Sequence, residues 1–349
     1  LKRIHVGPES AGSEPGPACY NRGGTEPTVT DADLALGKID PARFAGGKIQ
    51  VDSRKAAAAL EAHVGEPLGL ELEAAAYGVA EIVDENMANA ARVHAVERGA
   101  EVRARTLVAF GGAAPLHAAR LAEKLGIERI VVPSDAGVGS AIGFLEAPAA
   151  FELVRSLYMR LDRFDAATAN ALLDAMSREA TGLAREAAGD QKLAEERRAF
   201  MRYAGQGHEI PVNLPSRPLT EADTLALREA FEAEYDRVFA RHIPGAAIEI
   251  MSWVVLVSGA ENRPSRIETT APRAAPGQTG SRAVFDARLG KRIEVPVFER
   301  DQLQPGVQIA GPALIVEDGT STYVSASFDA AVDAGNALIL TAKNSEAQS

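Results

Sequence analysis

The run Leu107-Val-Ala-Phe-Gly-Gly-Ala-Ala-Pro-Leu-His117 places two glycines where a β-prone stretch ends and helical spacing begins. At such a junction the missing Cβ lets the backbone approach a ligand closely, and free N–H groups at the start of a helix point toward an anion or a polar ring edge. Pro115 suits the first helical position, and no Ser, Thr, Asp or Asn caps this helix. The backbone around Gly111, Gly112, Ala113 and Ala114 is therefore open either to a guest or to water, and a tight turn without a ligand is the alternative reading of the same pattern. Asn86, Asn89 and Arg92 fall within two turns of one helix. Asn89 and Arg92, three apart, share a face suited to ribose hydroxyls or phosphate, or form a plain solvated face. Residues 7–24, dense in Gly and Pro, end in Arg22-Gly23-Gly24, which either offers a guanidinium to a carboxylate or phosphate or simply builds tight turns.

Other chemically capable side chains read as structural. His94 continues an apolar stripe four residues beyond Ala90, as a packed core histidine does. Cys19, the single cysteine, reads as a small buried apolar residue, since nothing nearby in sequence lowers its pKa. His208 and Glu209 are adjacent in a β-prone run, so alternation turns them to opposite faces and no metal site is assigned. The small residues of 134–143 suit a hinge or close backbone packing.

The elements that must position these groups follow from periodicity. Residues 7–30 form a long but rigid irregular loop, and loops of that length tend to be functional. A short helix follows over 31–36, with Thr30 or Asp31 as cap, and Asp52 opens another over 53–63. Leu72, Ala76, Val79, Val83, Met87 and Ala90 keep three-and-four spacing, which predicts a helix over 71–98 stopped by Gly99. A strand at 106–110, the glycine turn, a helix at 115–125 ended by Gly126, and a strand at 127–132 make a βαβ unit with a parallel pair. Beyond a boundary at 148–162 the pattern gives an Ala-rich helix at 166–188, strands within 200–214, a helix at 221–241 and a strand at 247–257. Residues 261–282 read as a linker. Short β-prone runs at 282–285, 293–298, 313–316, 320–324 and 337–340 then suggest a compact β module. The division expected is 1–150, an α/β subdomain with its glycine loop; 151–262, a small α+β domain; and 263–349, a β-rich module.

Composition bounds the partners. A chain of 349 residues exceeds one ordinary core, and 46% apolar residues support folded cores throughout. A formal charge of −11 lacks the basic face that nucleic acid or an anionic membrane requires, so neither is an expected partner. One cysteine and the lack of an apolar run approaching the roughly 20 residues that span a bilayer point to a cytoplasmic protein. Residues 1–6 read as the end of a strand, which predicts further chain upstream.

Taken in order, residues 7–33, 85–99, 107–117, 134–143, 202–214 and 299–336, the last with Arg300-Asp301, Pro305-Gly306 and Gly311-Pro312-Ala313, resemble the hydantoinase/oxoprolinase A family. That family includes N-methylhydantoinase A, 5-oxoprolinase and the ATP-binding subunits of acetone and acetophenone carboxylases. The resemblance implies an actin-like ATPase fold of two ribonuclease-H-like halves closing over ATP, with this chain as the second half plus the carboxyl-terminal region. It implies ATP, with Mg, as cofactor, Gly111 and Gly112 against the adenosine, 134–143 in the segment joining the halves, and the upstream half, a B-type subunit and a small-molecule substrate as partners. Ala114 and Asn21 stand where the family commonly has glycine. No Asp-x-Gly-Gly-Thr phosphate loop occurs, since Gly23-Gly24-Thr25 lacks the preceding acid. The expected activity is ATP-dependent hydrolysis of a cyclic amide, a hydantoin or 5-oxoproline, by phosphoryl activation. A ketone carboxylase subunit is the alternative enzyme, and a non-catalytic assembly module the alternative of another class.

Overall fold

The computed structural model describes residues 3–259 and 270–343. The chain divides into two compact units, residues 1–142 with 265–349, and residues 143–264. Compactness thus cuts the chain differently from the expected three-part division: the β-rich C-terminal residues and the βαβ unit build one body.

In the first unit, helices α1 (Val29–Ala35), α2 (Ser53–Leu60), α3 (Glu66–Leu68) and α4 (Leu72–Glu97) precede strand β1 (Leu107–Val108), helix α5 (Ala114–Leu125) and strand β2 (Arg129–Val132). β1 and β2 pair in parallel, Leu107 opposite Ile130, so the βαβ expectation holds. Gly126, at φ 67°, ends α5 as the left-handed cap its position suggests. The first helix starts at Val29, with Thr28 and Asp31 forming a reciprocal capping box, so the cap is Thr28 instead of Thr30 or Asp31. Asp52 caps α2 as expected, but the α-helix gives way to a π turn at Glu61–Gly65. Residues 3–6 are not in a strand, contrary to the reading of 1–6; residues 1 and 2 lie outside the described residues.

The chain then runs through helix α6 (Gly139–Glu146), strand β3 (Ala150–Arg160), helix α7 (Ala166–Ala188), strands β4 (Leu193–Tyr203) and β5 (Ile210–Leu214), helix α8 (Thr224–Phe239) and strand β6 (Ile248–Gly259). The second unit is a four-stranded antiparallel sheet, β3-β6-β4-β5. On α7 the buried Ala169, Leu173, Met176, Ala180 and Ala184 keep three-and-four spacing and pack on Trp253, Met201 and Ile250. The indole N–H of Trp253 donates to the Leu157 carbonyl at 3.0 Å, so burying this large side chain strands no polar atom. The stretch read as a boundary is β3; Val154 and Tyr158 are exposed on it, which masks its alternation. His208 and Glu209 lie in the turn between β4 and β5, not on a strand.

Eight further strands return to the first unit: β7 (Arg273–Ala274), β8 (Gly280–Asp286), β9 (Lys291–Glu299), β10 (Val307–Ala310), β11 (Ala313–Val316), β12 (Ser321–Val324), β13 (Phe328–Val332) and β14 (Leu338–Ala342). β14 pairs antiparallel with β2, Leu340 opposite Ile130, in a six-stranded mixed sheet ordered β1-β2-β14-β13-β10-β7. The remaining strands form a sheet ordered β12-β11-β9-β8. Phe328, Leu338 and Leu340 share one core with Ile130, Val132 and the Ala118, Ala119 and Ala122 face of α5. Each of those large side chains contributes about 1.5–3 kcal/mol when fully buried, and this shared burial unites distant parts of the chain. Of the expected linker 261–282, residues 261–269 lie outside the described residues, and β7 and the start of β8 occupy part of the remainder. No helix among the described residues is long and apolar enough to cross a membrane.

Candidate functional site

The glycine turn sits at the carboxyl ends of the parallel strands β1 and β2, where open α/β sheets place their ligand crevices. Gly111 has φ 109°, a backbone state that side chains disfavour, and its N–H donates to the Ala136 carbonyl at 2.7 Å. A Cβ at Gly111 would meet nothing within 4 Å, so the space before the bend is open. The β11–β12 hairpin closes over the other side. Thr320 Oγ1 donates to the Gly112 carbonyl at 2.8 Å, and a Cβ on Gly137 would lie 2.6 Å from the Gly319 carbonyl oxygen. Because a trans peptide sets its C=O and N–H antiparallel, pinning the Gly112 carbonyl toward Thr320 aims the Ala113 N–H away from the hairpin. Gly112, Ala113 and Ala114 are exposed, Ala113 is the N-cap of α5 without a side-chain capping bond, and the N–H groups of Gly112 and Ala113 meet no protein acceptor among the described residues. The turn is held from behind and open in front.

Asn86, Asn89 and Arg92 are not brought to this turn. Arg92 donates from Nη2 to the Lys124 carbonyl at 2.8 Å, in the last turn of α5, and from Nη1 to Glu85 at 2.9 Å and Asn89 Oδ1 at 2.8 Å. The opposite end of α5 lies roughly 15 Å away at 1.5 Å per residue. Asn86 Nδ2 donates to the Val6 carbonyl at 3.2 Å. Arg92 binds the Lys124 carbonyl near the C-terminal end of α5, so the face that Asn89 and Arg92 share, expected to suit ribose hydroxyls or phosphate or to be plainly solvated, lies away from the glycine turn.

The loop 7–24 is tied down as expected. Buried Asp31 accepts hydrogen bonds from the N–H groups of Ala18 (3.2 Å), Cys19 (2.8 Å) and Thr28 (2.8 Å) and from Thr28 Oγ1 (2.9 Å). A Cβ on Gly24 would stand 2.1 Å from the Gly16 carbonyl oxygen, so two strands of the loop touch only because that residue is glycine. Gly23 and Gly24 line a broad polar groove with His5, Thr25, Thr30 and His63. Arg22 Nη1 stands 3.8 Å from Glu14, with its side chain 43% exposed, so the guanidinium is free to reorient. Asn21 adopts φ 58°, which asparagine accepts in place of glycine. Cys19 is buried, and burial together with Asp31 pushes its thiol far up, so it is no nucleophile.

A cluster that sequence reading missed lies between these two regions. His117, on α5, is buried, with Nδ1 2.8 Å from Asp84 Oδ1 on α4 and Nε2 2.9 Å from Asp33 Oδ2 on α1. Lys38 Nζ, also buried, is 3.3 Å from Asp33 Oδ1. Burial alone would lower the His117 pKa, but the Asp33 charge and the hydrogen bonds to both carboxylates outweigh it and raise it to about 9. Burial likewise works against the Asp33 carboxylate, and the positive charges of His117 and Lys38 prevail, lowering it to about 2. The histidine expected in the core, His94, is exposed instead. One signal was available: Asp84 interrupts the buried four-spaced stripe Ala76, Ala80, Ala88, and a carboxylate at such a position calls for a cationic partner.

Comparison with known proteins joins these observations. Residues 1–152 match the Hydantoinase/oxoprolinase family and residues 167–342 the Hydantoinase/oxoprolinase C-terminal domain. Caprolactamase subunit alpha of Pseudomonas jessenii is 33% identical over 344 residues, 97% of this chain and 49% of that protein. The crystal structure of ATP-dependent caprolactamase from Pseudomonas jessenii superposes with TM-score 0.78 and 32% identity over 97% of this chain and 50% of that one. A nucleotide-free acetone carboxylase structure, from work on ATP-dependent acetone carboxylation, does so with TM-score 0.77 and 26% identity over the same shares. The α/β fold with mixed sheets is shared with both. The chain spans about half the length of the curated relatives it matches.

Proposed function

Starting from the fact that the chain belongs to the hydantoinase/oxoprolinase family, we propose that it is the part of an ATP-dependent cyclic-amide hydrolase that forms one wall of the nucleotide site. In this reading β1, α5 and β2 belong to the second ribonuclease-H-like half of an actin-like ATPase, and the opposing wall comes from sequence upstream. The carrying observation is the glycine turn, open in front, with its Ala113 N–H turned outward by the Thr320 contact. The amides of Gly112 and Ala113 would face the adenosine of a bound ATP with Mg, and the groove beside Gly23 and Gly24 would receive the substrate, with Arg22 as a mobile cation at its rim. Bound ATP would supply a phosphoryl group to the amide oxygen, turning a poor electrophile into one that water can attack. A B-type subunit would complete the enzyme.

Calorimetry with MgATP tests this. The expected result is little or no binding to the isolated chain and clear binding to the full polypeptide encoded by the gene; binding to neither would remove the nucleotide reading. The similarity to acetone carboxylase supports a second reading, a ketone carboxylase subunit using the same phosphoryl logic. Product analysis separates the two: a ring-opened acid supports the hydrolase, a β-keto acid the carboxylase.

A further inference from the structure

An ionised carboxylate only accepts hydrogen bonds, so with Asp84 and Asp33 on its two ring nitrogens, His117 must donate twice and is held as the cation. The charged groups facing it are Asp84 from α4, Asp33 from α1 and Lys38 from the turn after α1. Two cations against two anions leave this buried cluster neutral. Asp33 shares the seven-residue helix α1 with Asp31, which binds the amides of Ala18 and Cys19 in the loop 7–24. At the other end of the chain of contacts, His117 lies in the first turns of α5, directly after Gly111 and Gly112. Helix α1 is therefore a strut with the loop fastened to one carboxylate and the glycine turn, through α5, fastened to another.

We propose that His117 is a positioning residue that keeps the loop 7–24 and the Gly111–Gly112 turn in register through α1, by gripping Asp33 and Asp84 with both ring nitrogens at once. Its bearing on catalysis rests on the nucleotide reading above; the mechanical coupling does not. Lys38 and Asp84 also line a small cleft, together with Tyr77, Asp286 and Tyr323, so the edge of the cluster borders open space. As pH rises through about 9 the ring sheds one proton, one carboxylate loses its donor, and the grip opens.

Hydrogen–deuterium exchange on the full polypeptide without nucleotide tests the coupling directly. In His117→Gln, whose amide cannot span both carboxylates, peptides covering 16–28 should exchange about tenfold faster, together with 109–116, while β4 and β6 are unchanged. Faster exchange confined to 109–125 would mean that His117 serves only the packing of α5, and would overturn the proposal. Asp84→Asn keeps shape and an acceptor oxygen but removes a charge, and guards against a His117 variant that fails to fold. In that variant the pH at which 16–28 loses protection should fall by about one unit or more from the wild-type value; an unmoved midpoint also overturns the proposal. A MgATP titration of the same wild-type protein reports on the nucleotide reading separately, because the exchange result is obtained without ATP.

Discussion

Thr320 and Asp31 are single residues whose polar atoms decide backbone geometry at a distance in sequence. Thr320 Oγ1 reaches a carbonyl 208 residues away, and no other side-chain bond to the Gly112 peptide exists among the described residues. Replacing it with Val preserves shape and leaves that carbonyl free to turn. We expect Thr320→Val to raise the MgATP dissociation constant of the full polypeptide about fivefold to twentyfold, with Thr320→Ser staying within about twofold of wild type. Equal affinities for all three proteins would show that the Gly112 peptide needs no pin. Asp31 accepts four hydrogen bonds in a fully buried setting. Asp31→Ala should lower unfolding free energy by about 2–4 kcal/mol, since buried amides would lose a charged acceptor, and urea titration measures this.

Helices α1, α4 and α5 meet at His117, and their association should follow its titration. The His117 pKa is raised from 6.5 to about 9, so its contribution to stability is whole below pH 6.5 and is lost as pH climbs through about 9. Asp33 is lowered from 3.8 to about 2, so its contribution is present above pH 3.8 and is lost as pH falls through about 2. Unfolding free energy measured across pH should therefore show a plateau between these limits, and His117→Gln should flatten the alkaline edge. The helices themselves were legible in the sequence, because α4, α5 and α7 repeat their apolar residues at helical spacing and glycine ends α5. The histidine clasp was not, since its partners lie 33 and 84 residues away and only tertiary packing brings them together. The same applies to Arg92: a three-residue spacing with Asn89 was read correctly as a shared face, but what that face meets, the end of α5, is set by packing. β10 and β13 alternate inward and outward positions, but four or five residues are too few for that alternation to stand out from a loop in the sequence.

The whole molecule has one body made from both ends of the chain and one made from its middle. Residues 143–264 contain their own sheet, helices and Trp253-centred core, so this fragment expressed alone should fold with a cooperative thermal transition. Residues 1–142 alone should not. Without Phe328, Leu338 and Leu340 the inner face of β2 and α5 stays wet, and the β2 edge loses its β14 partner. Circular dichroism of the two fragments, and of 1–142 mixed with 265–349, checks both statements; a stably folded 1–142 fragment would refute the second. The compact units differ from the expected three-part division for a physical reason: sheet pairing ignores sequence distance, and no local pattern announces that a strand near residue 340 will lie beside one near 130.

That pairing has a consequence during synthesis. A ribosome delivers β2 long before β14, and the intervening residues include an entire unit able to fold at once. β2 must therefore wait, with an apolar strand edge uncovered, until β14 emerges. Chaperone capture, or early association of that edge with another polypeptide, would act in this interval, and the yield of correctly assembled protein should depend on translation speed between residues 143 and 340.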